Sequence, residues 1–242
     1  MKMRHSFNFT IIFIFCITLF SSCKKEPWEP IEGALRIVQW RVLITGDMVH
    51  FSDNDEHINK FLQIIASVKA PIMMTPGNHD IIMAPGQGLY RPVTLEGLRR
   101  YRSFFGDDFQ AMDCKGFTII SANSTLWYPE GSPPEEIDRH DQRLNKALKD
   151  AQAKNQPIVM MTHFPPLFEL LPFTEKYLNL CVESGAFVWL TGHWHCAYRH
   201  DYDSITILVG ETTSSNNVEP LGIRLLTIYP DKSFDWNFKP LY

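Results

Sequence analysis

Four short apolar runs in this sequence each stop at residues able to hold a metal ion. Arg41-Val42-Leu43-Ile44-Thr45 runs into Gly46-Asp47. Pro71-Ile72-Met73-Met74-Thr75 runs into Pro76-Gly77-Asn78-His79-Asp80. Pro157–Thr162 is followed by His163-Phe164-Pro165-Pro166, and Phe187–Thr191 by Gly192-His193-Trp194-His195. Runs of this length, rich in Val and Ile and bounded by turn residues, read as buried strands. Ligands at strand C-termini gather at one edge of an α/β sheet, on rigid supports.

Helical patterns fill the intervals. Ile58, Phe61, Leu62 and Ile65 share one face of a helix expected over about Asn54–Val68, capped by Ser52 or Asp53. Thr94 is placed to cap a helix that runs towards Phe105 and ends at Gly106. Further helices are expected over Ile137–Ala153 and from about Thr174 to Glu183, stopping at Gly185. Phe117–Ala122 reads as a strand, and the tail as strands at Ile205–Val209, Ile223–Ile228 and Phe234–Phe238. Strands that first alternate with helices and then follow one another predict a layered α/β domain with an antiparallel tail.

The chain has 242 residues, enough for one domain with a sizeable core. Its net charge of −4 gives no basic footprint, so no nucleic-acid partner is expected. The N-terminus reads as an export signal. Lys2 and Arg4 precede the apolar run Ile11–Phe20, which falls short of the roughly 20 residues a membrane span needs. Small residues lead into Cys23 (Leu19-Phe20-Ser21-Ser22-Cys23), as in a bacterial lipobox. The expected organisation is a signal peptide over 1–22, a tether over 23–34 and a folded domain over 35–242, with lipidation at Cys23. That places the protein in the cell envelope, anchored to a membrane on its periplasmic or extracellular side. Cys114, Cys181 and Cys196 are odd in number, which rules out full intramolecular pairing, and read as small buried apolar residues.

The carboxylate, amide and imidazole donors at the strand ends suit divalent Mn, Fe or Zn. Isolated histidines such as His5, His57, His140 and His200 carry no such message. The ordered set does. Gly46-Asp47, Gly77-Asn78-His79-Asp80, His163 and Gly192-His193-Trp194-His195 resemble the signature of calcineurin-like metallophosphoesterases. Tyr101 to Asp107, Ser121-Ala122-Asn123-Ser124 and Leu221-Gly222-Ile223-Arg224 resemble its serine/threonine phosphatase-like branch. The resemblance implies a four-layer α/β/β/α sandwich. It implies two metals that activate a water for attack on a phosphate ester. By the same resemblance Asp47 bridges the metals, Asn78, His163 and His193 complete one site, and His195 belongs to the other. His79 stabilises the phosphoryl group or protonates the leaving oxygen, with Asp80 holding its other nitrogen.

One family element is missing. The family opens with Asp-x-His after its first strand, and no such motif precedes Gly46-Asp47 here. Ala34–Gln39 resembles the start of that strand, yet it runs directly into Trp40–Asp47. A parallel crossover needs about a dozen residues, so both segments cannot hold family positions. The fold is therefore expected to be truncated at its first β-α unit. One metal or two remain, and His50, Asp53 and Asp55 are the nearby substitutes for the lost ligands. The expectation is a phosphoesterase of reduced turnover; the alternative is a catalytically inactive envelope binding protein. Tyr90, Trp127, Tyr128 and Phe164 flank the motif loops and are candidates to stack on substrate.

Overall fold

A computed structural model describes residues 9–13, 41–81, 92–127, 131–213 and 222–240. Two sheets lie between helices. The strands are β1 (Phe9–Phe13), β2 (Val42–Ile44), β3 (Ile72–Met74), β4 (Gln110–Cys114), β5 (Phe117–Ser121), β6 (Ile158–Met161), β7 (Ala186–Thr191), β8 (Tyr198–Tyr202), β9 (Ile205–Val209), β10 (Gly222–Ile228) and β11 (Phe234–Pro240). The helices are α1 (Asp55–Ile65), α2 (Asn78–Ile81), α3 (Leu95–Phe105), α4 (Pro134–Ala153) and α5 (Leu171–Glu183). The first sheet has the order β11-β10-β1-β2-β3, the second β4-β5-β6-β7-β9-β8.

Period-two alternation along the strands sorts the apolar side chains into three cores. In β2, Leu43 faces the space between the sheets while Val42 and Ile44 meet α1 and α3 through Ile58, Phe61, Leu98 and Tyr101. In β6, Val159 and Met161 face the inter-sheet core; Ile158 and Met160 join Leu144 and Leu148 of α4 and Leu178 of α5. The result is the expected four-layer α/β/β/α sandwich. The strands that carry motifs run parallel to one another, β2 with β3 and β6 with β7, so their C-termini share an edge.

Several boundaries differ from the sequence reading. Asn54 caps α1, its side-chain oxygen accepting from the N–H groups of Glu56 and His57, whereas Ser52 or Asp53 was expected. Thr94 and Gly106 bound α3 as expected. Two strands are additional. β4 joins β5 through Lys115 and Gly116, both at positive φ, and β8 lies at the other edge of that sheet.

β1 is the larger departure. Phe9–Phe13, assigned above to the leader, lies in the first sheet, parallel to β2 and antiparallel to β10. Both sides of β2 are thereby filled, by β1 and β3. β1 and β2 are 28 residues apart in sequence, more than the dozen or so that a parallel crossover needs. Cys23, the tether and Leu35–Gln39 lie outside the described residues.

Candidate metal centre

The loops after β2, β3, β6 and β7 meet at the common edge of the two sheets. The first sheet contributes Asp47 and the short helix α2, which begins at Asn78 and includes His79 and Asp80. The second contributes His163, His193 and His195. Ligand atoms of Asp47, His163 and His193 lie within 4.8 Å of one another. Two glycines permit the approach. A Cβ on Gly46, at φ 97°, would lie 2.6 Å from His163 Nδ1, and one on Gly77 would overlap the Asp47 carboxylate. Asp47, His193 and His195 themselves hold positive φ values of 55°, 71° and 58°. Such strain in residues with side chains clusters where function demands a special geometry.

His163 sits at the middle of the group. Its Nδ1–H donates to the Thr45 carbonyl oxygen at 2.7 Å, which turns Nε2 towards the other ligands. Nε2 lies 3.0 Å from Asn78 Oδ1, 3.2 Å from His193 Nδ1 and 3.3 Å from Asp47 Oδ2. Four lone-pair acceptors thus converge, which is tolerable only around a proton or a cation. Bonds of about 2.0–2.2 Å to a divalent ion put adjacent ligand atoms about 3.0–3.4 Å apart, so the set fits such an ion. A second feature agrees: Thr45 Oγ1 is buried without a hydrogen-bond partner among the described residues and borders the same cavity.

The ligand side chains also shift one another's titration. Burial disfavours the charged imidazole of His163, but the Asp47 carboxylate outweighs it and raises the pKa. Burial likewise opposes the charge on Asp47, and the neighbouring His163, His79 and His193 outweigh this, holding its carboxyl well below the usual range. Burial and the adjacent His163 push His193 down to about 3, leaving it neutral with a free lone pair.

The partners of His79 and Asp80 differ from expectation. His79 Nδ1–H donates to the His50 carbonyl oxygen at 2.8 Å, and the two rings stack with centroids 5.0 Å apart. Asp80 instead ties two motif loops together, accepting from Val49 N at 3.1 Å and Gly77 N at 2.8 Å. Its burial, with the negative charge of Asp47, pushes its pKa up to about 8. Asp80 is therefore a positioning residue for the loops. The substitute ligands considered above do not join the centre either: Asp55 pairs with Arg100 and Asp53 is exposed. His195 is exposed but borders the cavity, as does Glu211, which Arg224 holds in an ion pair.

Ser124 was legible only as part of a motif, without a role. Its buried hydroxyl accepts from the N–H groups of both His163 (3.2 Å) and Phe164 (2.9 Å), fixing the loop after β6. Asn123 is anchored in turn by Asp108, and Asp108 by Arg102. The proposed stacking residues fare otherwise. Trp127 and Phe164 are buried at 3 % exposure each, Trp127 stacked on Tyr177 and Phe164 against His193. Tyr90 and Tyr128 lie outside the described residues. Cys114 and Cys181 are buried as expected, but Cys196 is exposed. Larger hollows of 360 and 530 Å³ lie along α4, lined by Lys and Asp side chains without a convergent ligand set.

Residues 41–197 match the family model of calcineurin-like phosphoesterases. No curated protein sequence matches the chain. Among solved structures, a dimetal phosphatase from Danio rerio is similar over 96 % of each chain, at 11 % identity and a TM-score of 0.65. GAP50, the anchor in the inner membrane complex of Plasmodium, is similar over 97 % of this chain and 87 % of its own, at 10 % identity and a TM-score of 0.59. A putative 5′-nucleotidase from Staphylococcus aureus is similar over 96 % of this chain and 53 % of its own, at 13 % identity and a TM-score of 0.53. At these identities the likeness concerns the fold.

Proposed function

The chain belongs to the calcineurin-like phosphoesterase family, and from that premise we propose that it hydrolyses phosphate monoesters or diesters with a divalent Mn, Fe or Zn ion. Asp47, Asn78, His163 and His193 would hold the ion. The observation that carries this reading is the convergence of three acceptors at 3.0–3.3 Å around a fourth, His163 Nε2. A divalent ion there polarises a phosphoryl oxygen and lowers the pKa of water.

The chain's own groups supply the rest. With its Nδ1 proton held by the His50 carbonyl, His79 presents Nε2 as the atom to give a proton to the leaving oxygen. Asp80 keeps the loops of Asp47 and His79 in register. Exposed His195 stands where a substrate enters.

Ile14, Phe15 and Cys16 follow β1, so that strand end brings no Asp-x-His. Lacking those ligands, the second metal binds weakly, and turnover falls below that of a two-metal clamp. The same absence favours the second reading, an envelope binding protein on a phosphoesterase scaffold. We also propose export and lipidation at Cys23, a reading supported by the order of basic, apolar and small residues before it.

The test is hydrolysis of p-nitrophenyl phosphate and its bis ester by the metal-loaded protein. Turnover should vanish in Asp47→Ala and fall about 10²–10⁴-fold in His79→Ala. Release of nitrophenol no faster than in Asp47→Ala, for both esters, sinks the enzyme reading in favour of the binding protein.

A further inference from the structure

Two of the loops that carry the metal-facing histidines also carry a cluster of aromatic rings. The loop after β6 holds His163 and, five residues on, Phe168. The loop after β7 holds His193, Trp194 and His195 and leads into Tyr198 at the start of β8. The rings of Phe168 and Trp194 lie 5.4 Å apart, those of Phe168 and Tyr198 5.8 Å, and those of Trp194 and Tyr198 5.8 Å. Three rings thus close on one another, on the two loops that also carry His163, His193 and His195.

Phe168 is anomalous in two independent ways. It is the exposed large hydrophobic residue of the described chain, with 57 % of its surface in water. Its φ is 50°, an outlier for a bulky side chain. Burial of its own ring does not explain that strain. Trp194 and Tyr198 are half-buried, their inner sides packed against the core under α4 and α5, so the platform is fixed from below.

We infer that Phe168, Trp194 and Tyr198 form a subsite for a planar aromatic group carried by the phosphate ester, either an aryl ring or a nucleobase. The inference rests on the phosphoesterase reading and specifies its substrate class. Asp47 is buried and His195 exposed, so an ester with phosphorus at the metal would leave the centre on the His195 side, and Trp194 is the chain neighbour of His195. There it meets an aromatic face open to water. Ring-on-ring stacking is worth enough to be read as affinity and tolerates many ring types.

Binding separates this inference from catalysis. The probes are phenylphosphonate against methylphosphonate, and adenosine monophosphate against ribose 5-phosphate, titrated calorimetrically into the metal-loaded protein. At least one ring-bearing probe should bind about 10-fold tighter than its ringless partner. The pair that shows the preference tells an aryl group from a nucleobase. The preference should disappear in Trp194→Ala and in Phe168→Ala, and in Phe168→Ala affinity for the ringless probe should stay unchanged. Trp194→Ala can disturb the adjacent histidines, so Phe168→Ala, at an exposed side chain, is decisive. Equal affinities in the unaltered protein, binding of none of the probes, or a preference that survives Phe168→Ala would each overturn the subsite. A ring preference without hydrolysis of any ester would instead count against the enzyme reading alone.

Discussion

His163 donates its Nδ1 proton to the carbonyl oxygen of Thr45, 118 positions earlier in the chain, at 2.7 Å. This bond joins the two sheets at the edge where their motifs meet. It also fixes the tautomer of the central imidazole, as backbone carbonyls commonly do for metal-binding histidines. The centre is thus built from the outside inward: loops are held first, and ligand atoms follow.

Ser124 tests that order. Its hydroxyl satisfies two N–H groups at the start of the His163 loop, and both lose their partner in Ser124→Ala. Leaving buried donors unpaired costs about 1–3 kcal/mol. Denaturant unfolding should show that loss, and metal affinity should fall with it although no ligand has been removed. Unchanged values for both would mean that the hydroxyl does not organise the loop.

Gly77→Ala should be more damaging to the centre than to the fold. The added methyl would overlap the Asp47 carboxylate and the start of the Asp47 backbone. The expected outcome is loss of metal binding with a circular-dichroism spectrum close to that of the unaltered protein. Retention of full metal affinity would show that the two loops are not in contact there.

The ion-pair chain that starts at Arg102 and anchors Asn123 through Asp108 predicts a pH dependence. Hydrogen bonds from Arg102, opposed by burial and aided by Arg139, hold the Glu136 carboxyl down at about 2, below its ordinary value of 4.5. A depressed carboxyl contributes stability that is present above the unfolded value and lost as pH falls through the folded one. The melting temperature of Glu136→Gln should therefore lie below that of the unaltered protein above about pH 5, with the gap closing towards pH 2. A gap that stays constant over this range would exclude ionisation of Glu136 as its source.

Much of this was readable in the sequence, for physical reasons that also mark where reading stops. The strand ends at Asp47, His163 and His193 stand out because apolar runs stop there abruptly. Thr94 and Gly106 bound a helix by local chemistry alone. The edge strand β4, Gln-Ala-Met-Asp-Cys, alternates in burial but lacks the branched residues that announce a strand. Asp80 follows His79 directly, yet its side chain turns to Val49 and Gly77; no spacing rule shows that choice. Trp127 looked available beside its motif, but the packing of Tyr177 and Trp189 around it is a tertiary fact.

Phe9–Phe13 poses a sharper case, because an apolar run reads equally as a leader or as a buried strand. In the first sheet it separates β2 from β10. Removal of residues 1–22 would leave both of those strands with an open edge. Intact-mass analysis of protein recovered from its host membrane decides between the two. A chain beginning at a lipidated Cys23 supports export and requires another segment beside β2. A chain retaining Phe9–Phe13 supports the strand and excludes the leader.

The most direct measurement is elemental analysis of manganese-loaded protein beside Asp47→Ala and His163→Ala. The centre described here holds one tightly bound ion per chain in the unaltered protein and none in either variant, with circular dichroism showing all three folded. Equal metal content in the three proteins would contradict it, since the ion would then lie elsewhere than among Asp47, Asn78, His163 and His193.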